Sequence, residues 1–530
     1  MSNKIWIFML CSALLLACKP TPRTAAEPHK EAPTAQPQQE QAEQQPQESI
    51  PAKQPESHPC IGLLEISVTR QDYNRLRPWE KQNATNGHFM GVYLGNGRVL
   101  TLGRAARAAT YTELSLPDAS RTVPARVIKF DEELDLALLT VEHPEDADIF
   151  NNMPELSIGE PLSLSQSAGA EVCALVRSLV QVRIGVDAES VDDDANHRLP
   201  RLELRAAKPL PQGNAAGLPI LRNGKLVALV EEYSPREQSL TCLNAEFISR
   251  FLDESSAAGN SVPVLGLVFA ELNDPAFNKY LKLDPQQGGI YVSQVQPGSS
   301  AEAAGVQVGD VVTSIDDLPL DKLGRGEHPL YGLLGARHII SSLKPVGQQI
   351  ALGISRNGEA MELHVPLNRD AVEKSLLGQE APGIPPRYVM WGGLLFQPLS
   401  QTYLDALQKS ANSLPLPFLH VKKRLPDLQS EGIKEIVALT LVVPTPATLG
   451  YDSLGFCVVE HVNDQRVTSF AQFAEMLDAP TADGVTELSL NRPPYHIYLD
   501  RQAVETSNDT IRRRAIPRLR QMGPEPAAQP

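Results

Sequence analysis

The chain reads as mainly β, with a strand-rich N-terminal half and two α+β modules after it. Three observations carry this reading. Short aliphatic and β-branched runs recur between residues 61 and 256 at barrel or sandwich spacing, separated by Gly, Asn and Asp. Beyond residue 262, strand-like runs alternate with Pro-Gly turns and a Ser-capped short helix. Pro- and Gly-rich stretches mark the seams, and 530 residues suffice for three or four hydrophobic cores. The balance of 48 basic against 63 acidic residues gives a net charge of −15. A nucleic-acid partner calls for a basic excess to neutralise phosphates, so none is expected.

The first segment, 1–17, has the form of a signal peptide. Lys4 precedes an apolar run of thirteen residues from Ile5 to Ala17, shorter than the ~20 needed to span a bilayer. It ends in Leu15-Leu16-Ala17-Cys18, which resembles the lipobox of bacterial lipoproteins. That resemblance implies cleavage before Cys18, acylation of its thiol and a lipid anchor in the cell envelope. Lys19 in place of Asp implies the outer membrane, facing the periplasm. From 18 to 60 the chain is Pro, Gln, Glu and Ala, and nine of its 44 prolines fall here. Such a segment buries too little apolar surface to offset its ordering entropy and is expected to be a disordered spacer.

Four cysteines, Cys60, Cys173, Cys242 and Cys457, remain after the signal and the lipidation candidate. An oxidising compartment permits pairing, and four thiols allow three connectivities. Their wide separation argues against a zinc site, and no metal or cofactor is expected.

Between 61 and 256 the runs Gly91-Val-Tyr-Leu, Arg98-Val-Leu-Thr, Ala125 to Phe130 and Leu134 to Val141 are β-type. Asn96-Gly97 between two of them predicts a type I′ hairpin turn. Asn244 to Leu252 reads as an amphipathic closing helix. A double barrel with a C-terminal helix fits this pattern, as does a plain sandwich.

Three of these stretches resemble the HtrA/Deg serine proteases. Gly91 to Ala106 is similar to the segment that leads into their Asn-His-Val, and Leu134-Asp135-Leu-Ala-Leu-Leu to their Ser-Asp-Ile-Ala-Leu-Leu. Gly213-Asn214-Ala215-Ala216-Gly217 is similar to Gly-Asn-Ser-Gly-Gly. The spacings of 31 and 80 residues keep the family's His, Asp, Ser order. The resemblance implies a trypsin-like double β-barrel, with Arg104, Asp135 and Ala215 at the triad positions and Gly213, Asn214 and Ala215 as a relic oxyanion hole. Arg104 and Ala215 depart from the pattern. A guanidinium stays protonated and cannot act as base at neutral pH, and a methyl group offers no nucleophile. Loss of either member lowers turnover in such sites about a million-fold. The expectations are a pseudoprotease site and an Arg104–Asp135 ion pair. His88, Ser163, Ser165 and Ser167 are the residues to consider for a displaced catalytic group.

Residues 262–370 contain Val264-Leu265-Gly266-Leu267, Gly288 to Val295, and Pro297-Gly298-Ser299 running to Asp316. This order of strand, Pro-Gly turn, capped helix, turn and strand closely resembles a PDZ domain of the HtrA/Deg type. The resemblance implies a groove in which Val264, Leu265, Gly266 and Leu267 hold a peptide's C-terminal carboxylate. A helix after Pro329, including Leu333, Leu334, Ile339 and Ile340, would form its far wall. After a Pro/Gly break at Gly378 to Pro386, residues 384–517 are similar to the degenerate second PDZ of plant-type Deg proteases. That likeness implies packing between subunits. Arg512 to Arg514 reads as a solvated helix face, and 518–530 as a disordered tail.

The function expected is a lipid-anchored, oligomeric (trimeric or larger) pseudoprotease that binds polypeptide segments or C-termini as envelope chaperone or scaffold. The competing readings are an active serine endopeptidase with a displaced group and a purely structural oligomer.

Overall fold

In a computed structural model, residues 62–523 are described apart from 177–179, 193–197, 212–214, 254–261, 285 and 515. The signal, the spacer with Cys18 and Cys60, and residues 524–530 lie outside the described residues.

The first six strands, Leu63–Arg70 through Leu136–Val141, close into a barrel in the order first, second, third, sixth, fifth, fourth. Alternation builds it: Leu64, Ile66 and Val68 point inward from the first strand, while Glu65 and Ser67 are only partly covered. At the predicted hairpin, Asn96 and Gly97 both have positive φ, 53° and 70°, and Arg98 N donates to Gly95 O at 3.0 Å. These are the requirements of a type I′ turn. The next six strands, Ala170–Val176 through Ser239–Asn244, close into a second barrel, so the sandwich alternative falls. Asn244 caps the helix Ala245–Leu252 by accepting from Ala245 N. The same side chain holds the inter-barrel segment, accepting from Leu162 N and donating to Leu162 O at 2.9 Å each. Phe247, Ile248 and Phe251 bury the inner helix face.

In the first C-terminal module, a sheet runs Leu267–Ala270, Ile290–Val295, Val311–Ile315, Gln349–Arg356, Glu359–Pro366, and the helix Ala336–Leu343 packs beside it. Leu333 and Leu334, expected on that helix, lie instead on a strand, Gly332–Gly335, of a hairpin with Arg325–His328. Glycines at both ends of this strand suit extended backbone and turns better than helix. Among the described residues, the strand Leu267–Ala270 has a neighbour on one side only. In the second module the strand Leu394–Pro398 is paired on both sides, by Tyr388–Trp391 and by Val437–Val442. The tail expected to be disordered from 518 instead adds a two-residue strand, Arg520–Gln521, against Tyr388–Val389. Its anchor is Arg520, whose guanidinium makes two bonds to Asp478 at 2.5 and 2.6 Å.

The first module docks on the helix Ala245–Leu252. Tyr331 donates its hydroxyl to Glu246 at 2.7 Å, and Asn244 donates to Tyr331 at 3.3 Å. Arg250 donates to the Ser341 carbonyl at 3.4 Å and also to that of Ser342. Burial raises the Glu246 carboxyl to about 7, against the opposing pull of Tyr331 and Arg250. Burial, then the charge of Arg250, lowers His328 to about 4. The native state therefore keeps the Glu246 proton between its ordinary 4.5 and about 7, so stability from this group falls as pH rises through that window. His328 acts oppositely, costing stability as pH falls from 6.5 toward 4. Glu246→Gln is expected to stabilise the protein by about 3 kcal/mol at pH 8 and to leave it unchanged near pH 4.5. Denaturant titrations of both proteins at the two pH values check this.

Candidate functional site

Arg104 lies in a tight turn, Gly103–Ala105, directly after the strand Val99–Leu102. Its backbone N–H donates to Asp135 Oδ1 at 2.7 Å, and its Nε donates to Oδ2, also at 2.7 Å. Nη2 approaches the same Oδ2 at 2.7 Å. The expected ion pair is therefore present as a fork around one carboxylate. Asp135 has φ of 50°, in the left-handed region, and its carbonyl accepts from Gly103 N at 2.7 Å. A Cβ on Gly103 would lie 2.8 Å from backbone atoms of Asp135 and Leu136, so only glycine lets this turn close.

The second barrel contributes more charge. Arg104 Nη1 lies 3.7 Å from Glu232, and the neighbouring Glu231 is buried against Arg201, Nε to Oε2 at 2.5 Å. Burial opposes the Arg104 charge, but Asp135, with Glu231 and Glu232, outweighs it and holds the guanidinium above its ordinary value. Burial, then Asp135, raises the Glu231 carboxyl, while Arg201 and Arg104 restrain it. These side chains line a cavity of about 420 Å³ between the barrels. Among the described residues, Arg201 Nη1 has no protein acceptor.

Ala215 is buried just before the strand Pro219–Arg222. Its turn presses on the first barrel, where Met90 N donates to Ala216 O at 2.9 Å, and is held to the second, where Gly217 N donates to Val230 O at 2.8 Å. A Cβ on Gly217, where φ is 89°, would lie 2.1 Å from Met90 O. Arg104, Asp135 and Ala215 thus stand on segments at the barrel junction, with the first two in direct contact. Gly213 and Asn214 of the expected oxyanion hole lie outside the described residues.

The rescue candidates are engaged elsewhere. His88 bonds Ser67 at 3.2 Å, Ser163 bonds Ser165 at 3.3 Å, and Ser167 accepts from Ala188 N at 3.0 Å. Ser67 faces His88 on one neighbouring strand and Glu113 on the other, so serine, not histidine, holds the middle place. A relay to a serine nucleophile needs histidine there. Glu231, Glu232 and Arg201 escaped sequence reasoning because their partners lie on other strands. The paired charges Glu231-Glu232 inside an apolar strand run were the available signal. Cys173, Cys242 and Cys457 are buried.

The second site is a groove of about 220 Å³ beside the strand Leu267–Ala270. Leu265, Gly266 and Leu267 line one side, with Arg337, Ile340 and Ser341 from the helix Ala336–Leu343 opposite. Gly266 has φ of 80°, and a Cβ there would meet Ser299 at 2.4 Å. The Val264 amide is committed to Asn368 O at 3.0 Å, away from a ligand. An edge strand with one open side can accept an added strand. Of the expected far wall, Ile340 reaches the groove, while Leu334 and Ile339 are buried in the core.

Comparison with known proteins finds the following similarities. Residues 379–520 and 291–334 match family models for the PDZ domain. Protease Do-like 2, chloroplastic, of Arabidopsis thaliana is 25% identical over 416 residues, covering 77% of this chain and 66% of the relative. Periplasmic serine endoprotease DegP of Salmonella typhimurium is 25% identical over 290 residues, covering 52% and 55%. The chain thus spans less than two thirds of either relative. The solved structure of HtrA-type protease AlgW with decapeptide aligns at 17% identity and TM-score 0.41, covering 58% of this chain and 96% of that one.

Removing the carboxylate tests the fork. Asp135→Ala leaves the Arg104 N–H and guanidinium without their acceptor and is expected to cost about 2 kcal/mol in a denaturant titration. Asp135→Asn, which keeps an acceptor oxygen, is expected to cost less.

Proposed function

The chain belongs to the HtrA/Deg protease family with PDZ domains, and from that premise we propose that it is a pseudoprotease whose work is to bind polypeptide. The observation that carries this is the Arg104–Asp135 fork. The carboxylate that would orient a general base is spent on a guanidinium, which has no basic lone pair, and Ala215 supplies no nucleophile. Polypeptide binding needs neither. It needs an open strand edge and a pocket, and the first module has both. In the second module both neighbours of Leu394–Pro398 are in place, which favours a packing role for that module.

The open groove also favours a binder over a purely structural oligomer. The chaperone or scaffold acts, on this reading, in the bacterial cell envelope, held there by lipid on Cys18, and as a homo-oligomer. The envelope assignment draws on the leader sequence and on the periplasmic location in the name of the DegP relatives. Among the described residues no helix is long and apolar enough to cross a membrane.

A fluorophosphonate probe, which labels activated serines, tests the reading against an active endopeptidase. The expected result is no labelled serine and casein left intact, with aggregation of an unfolding client suppressed. Specific labelling of one serine overturns the pseudoprotease assignment. Gly266→Glu, which forces a side chain into Ser299, is expected to abolish client protection without altering either negative result.

A further inference from the structure

The second module carries a helix, Leu416–Lys423, whose outward face is part apolar and part basic. Phe418 and Val421 seat it on the module's core, and both are buried. The opposite face, at i, i+3, i+4 and i+7, is Leu416, Leu419, His420 and Lys423, all exposed. Leu416 is 79% exposed and Leu419 40%. The cations gather at the far end, where Lys422 and Lys423 close the helix. Neither lysine makes an ion pair among the described residues. The carboxylates that follow them, Asp427 and Glu431, are occupied by Arg424 and Arg466. The leading end of the helix is also short of bare backbone donors. Pro415 and Pro417 have no N–H, and the amides of Phe418 and Leu419 both donate to Pro415 O, at 3.0 and 3.1 Å.

We propose that this helix docks on an anionic phospholipid surface, with Leu416 and Leu419 at the acyl boundary and Lys422 and Lys423 at the phosphates. The spacing suits a bilayer interface. At 1.5 Å rise per residue, Leu416 lies about 10 Å from Lys423 along the axis. Interfacial helices bury their apolar side chains roughly 5–10 Å into the headgroup boundary. Entry into that layer is costly where a backbone N–H loses water without gaining an acceptor. The prolines and the two bonds to Pro415 O lower this cost at the end that would enter. The lysines complement negative lipid charge in a chain whose net charge of −15 otherwise repels such a surface. An acidic protein partner would suit the lysines but gives no role to the leucine tip and its sealed amides. The contact is separate from the lipid proposed on Cys18. That anchor holds the chain near a membrane, whereas this one orients the second module against it.

Co-sedimentation of the full chain with sucrose-loaded vesicles tests this, with Cys18→Ser so that no acyl chain on the protein contributes. Vesicles of equal phosphatidylcholine and phosphatidylglycerol are expected to bind about tenfold more tightly than phosphatidylcholine alone. Salt at about 0.5 M should narrow that difference. Lys422→Gln with Lys423→Gln is expected to bring anionic vesicles down to the level of neutral ones. Leu416→Glu with Leu419→Glu is expected to abolish binding, and both positions are exposed, so the fold tolerates the change. Leu449→Glu, at a leucine 83% exposed on another turn of the module, is expected to change nothing. Leu416→Trp fluorescence should be quenched by lipids brominated on their acyl chains. No binding of the parent protein to anionic vesicles overturns the proposal, as does an equal loss with Leu449→Glu. If the parent ignores vesicles while Leu416→Glu with Leu419→Glu changes the oligomer size in light scattering, the proposal is overturned and the face belongs to a second copy of the chain.

Discussion

The fork between Arg104 and Asp135 is the interaction around which the barrel junction is arranged. A carboxylate held in a left-handed backbone turn accepts from the Arg104 amide and from its side chain, and Gly103 is small enough to let the two segments meet. The guanidinium then requires further negative charge, because burial opposes it, and Glu232 on the facing barrel helps to provide that. Glu231 beside it is buried and needs a cation of its own, which is Arg201. The result is a polar, ion-paired cavity at the barrel junction. Breaking such a network at one partner leaves an uncompensated charge, which costs more than the pair contributes when intact.

Loss of chemistry at one site and retention of binding at another are physically independent. Catalysis depends on particular atoms, an imidazole nitrogen and a hydroxyl, and on the proposed reading Arg104 and Ala215 stand where these would be. The groove depends on backbone conformation, on Gly266 in the left-handed region and on a strand edge left unpaired. Neither feature depends on the residues at 104 and 215. The junction and the groove are nonetheless physically joined through Glu133. That carboxylate pairs with Arg198 of the second barrel and with Arg369 at the exit of the first module.

Local features were legible in the sequence and long-range ones were not. Asn96-Gly97 specifies its hairpin because both residues tolerate positive φ, and Asn244 specifies a helix start because its side chain can accept from the first turn. The Arg104–Asp135 pair was legible through the family's motif spacing, not through any property of two residues 31 apart. Arg201–Glu231, Arg198–Glu133 and Tyr331–Glu246 had no such guide, since their partners meet only after two barrels and a module have folded. Leu333 and Leu334 were assigned to a helix because a short apolar run carries no clear period, and the flanking Gly332 and Gly335 decided for a hairpin. Arg520–Gln521 looked like a frayed tail because its pairing partner, Tyr388–Val389, lies far back in the chain.

The central claim is that this chain holds polypeptide without cutting it. Its most direct measurement is the intact mass of an unfolded client, such as reduced lactalbumin, recovered from the complex after prolonged incubation with the full chain. The account predicts recovery of the client at its full mass, released by a competing C-terminal peptide. Recovery of defined shorter fragments, produced by the chain but not by a Gly266→Glu control, would contradict it.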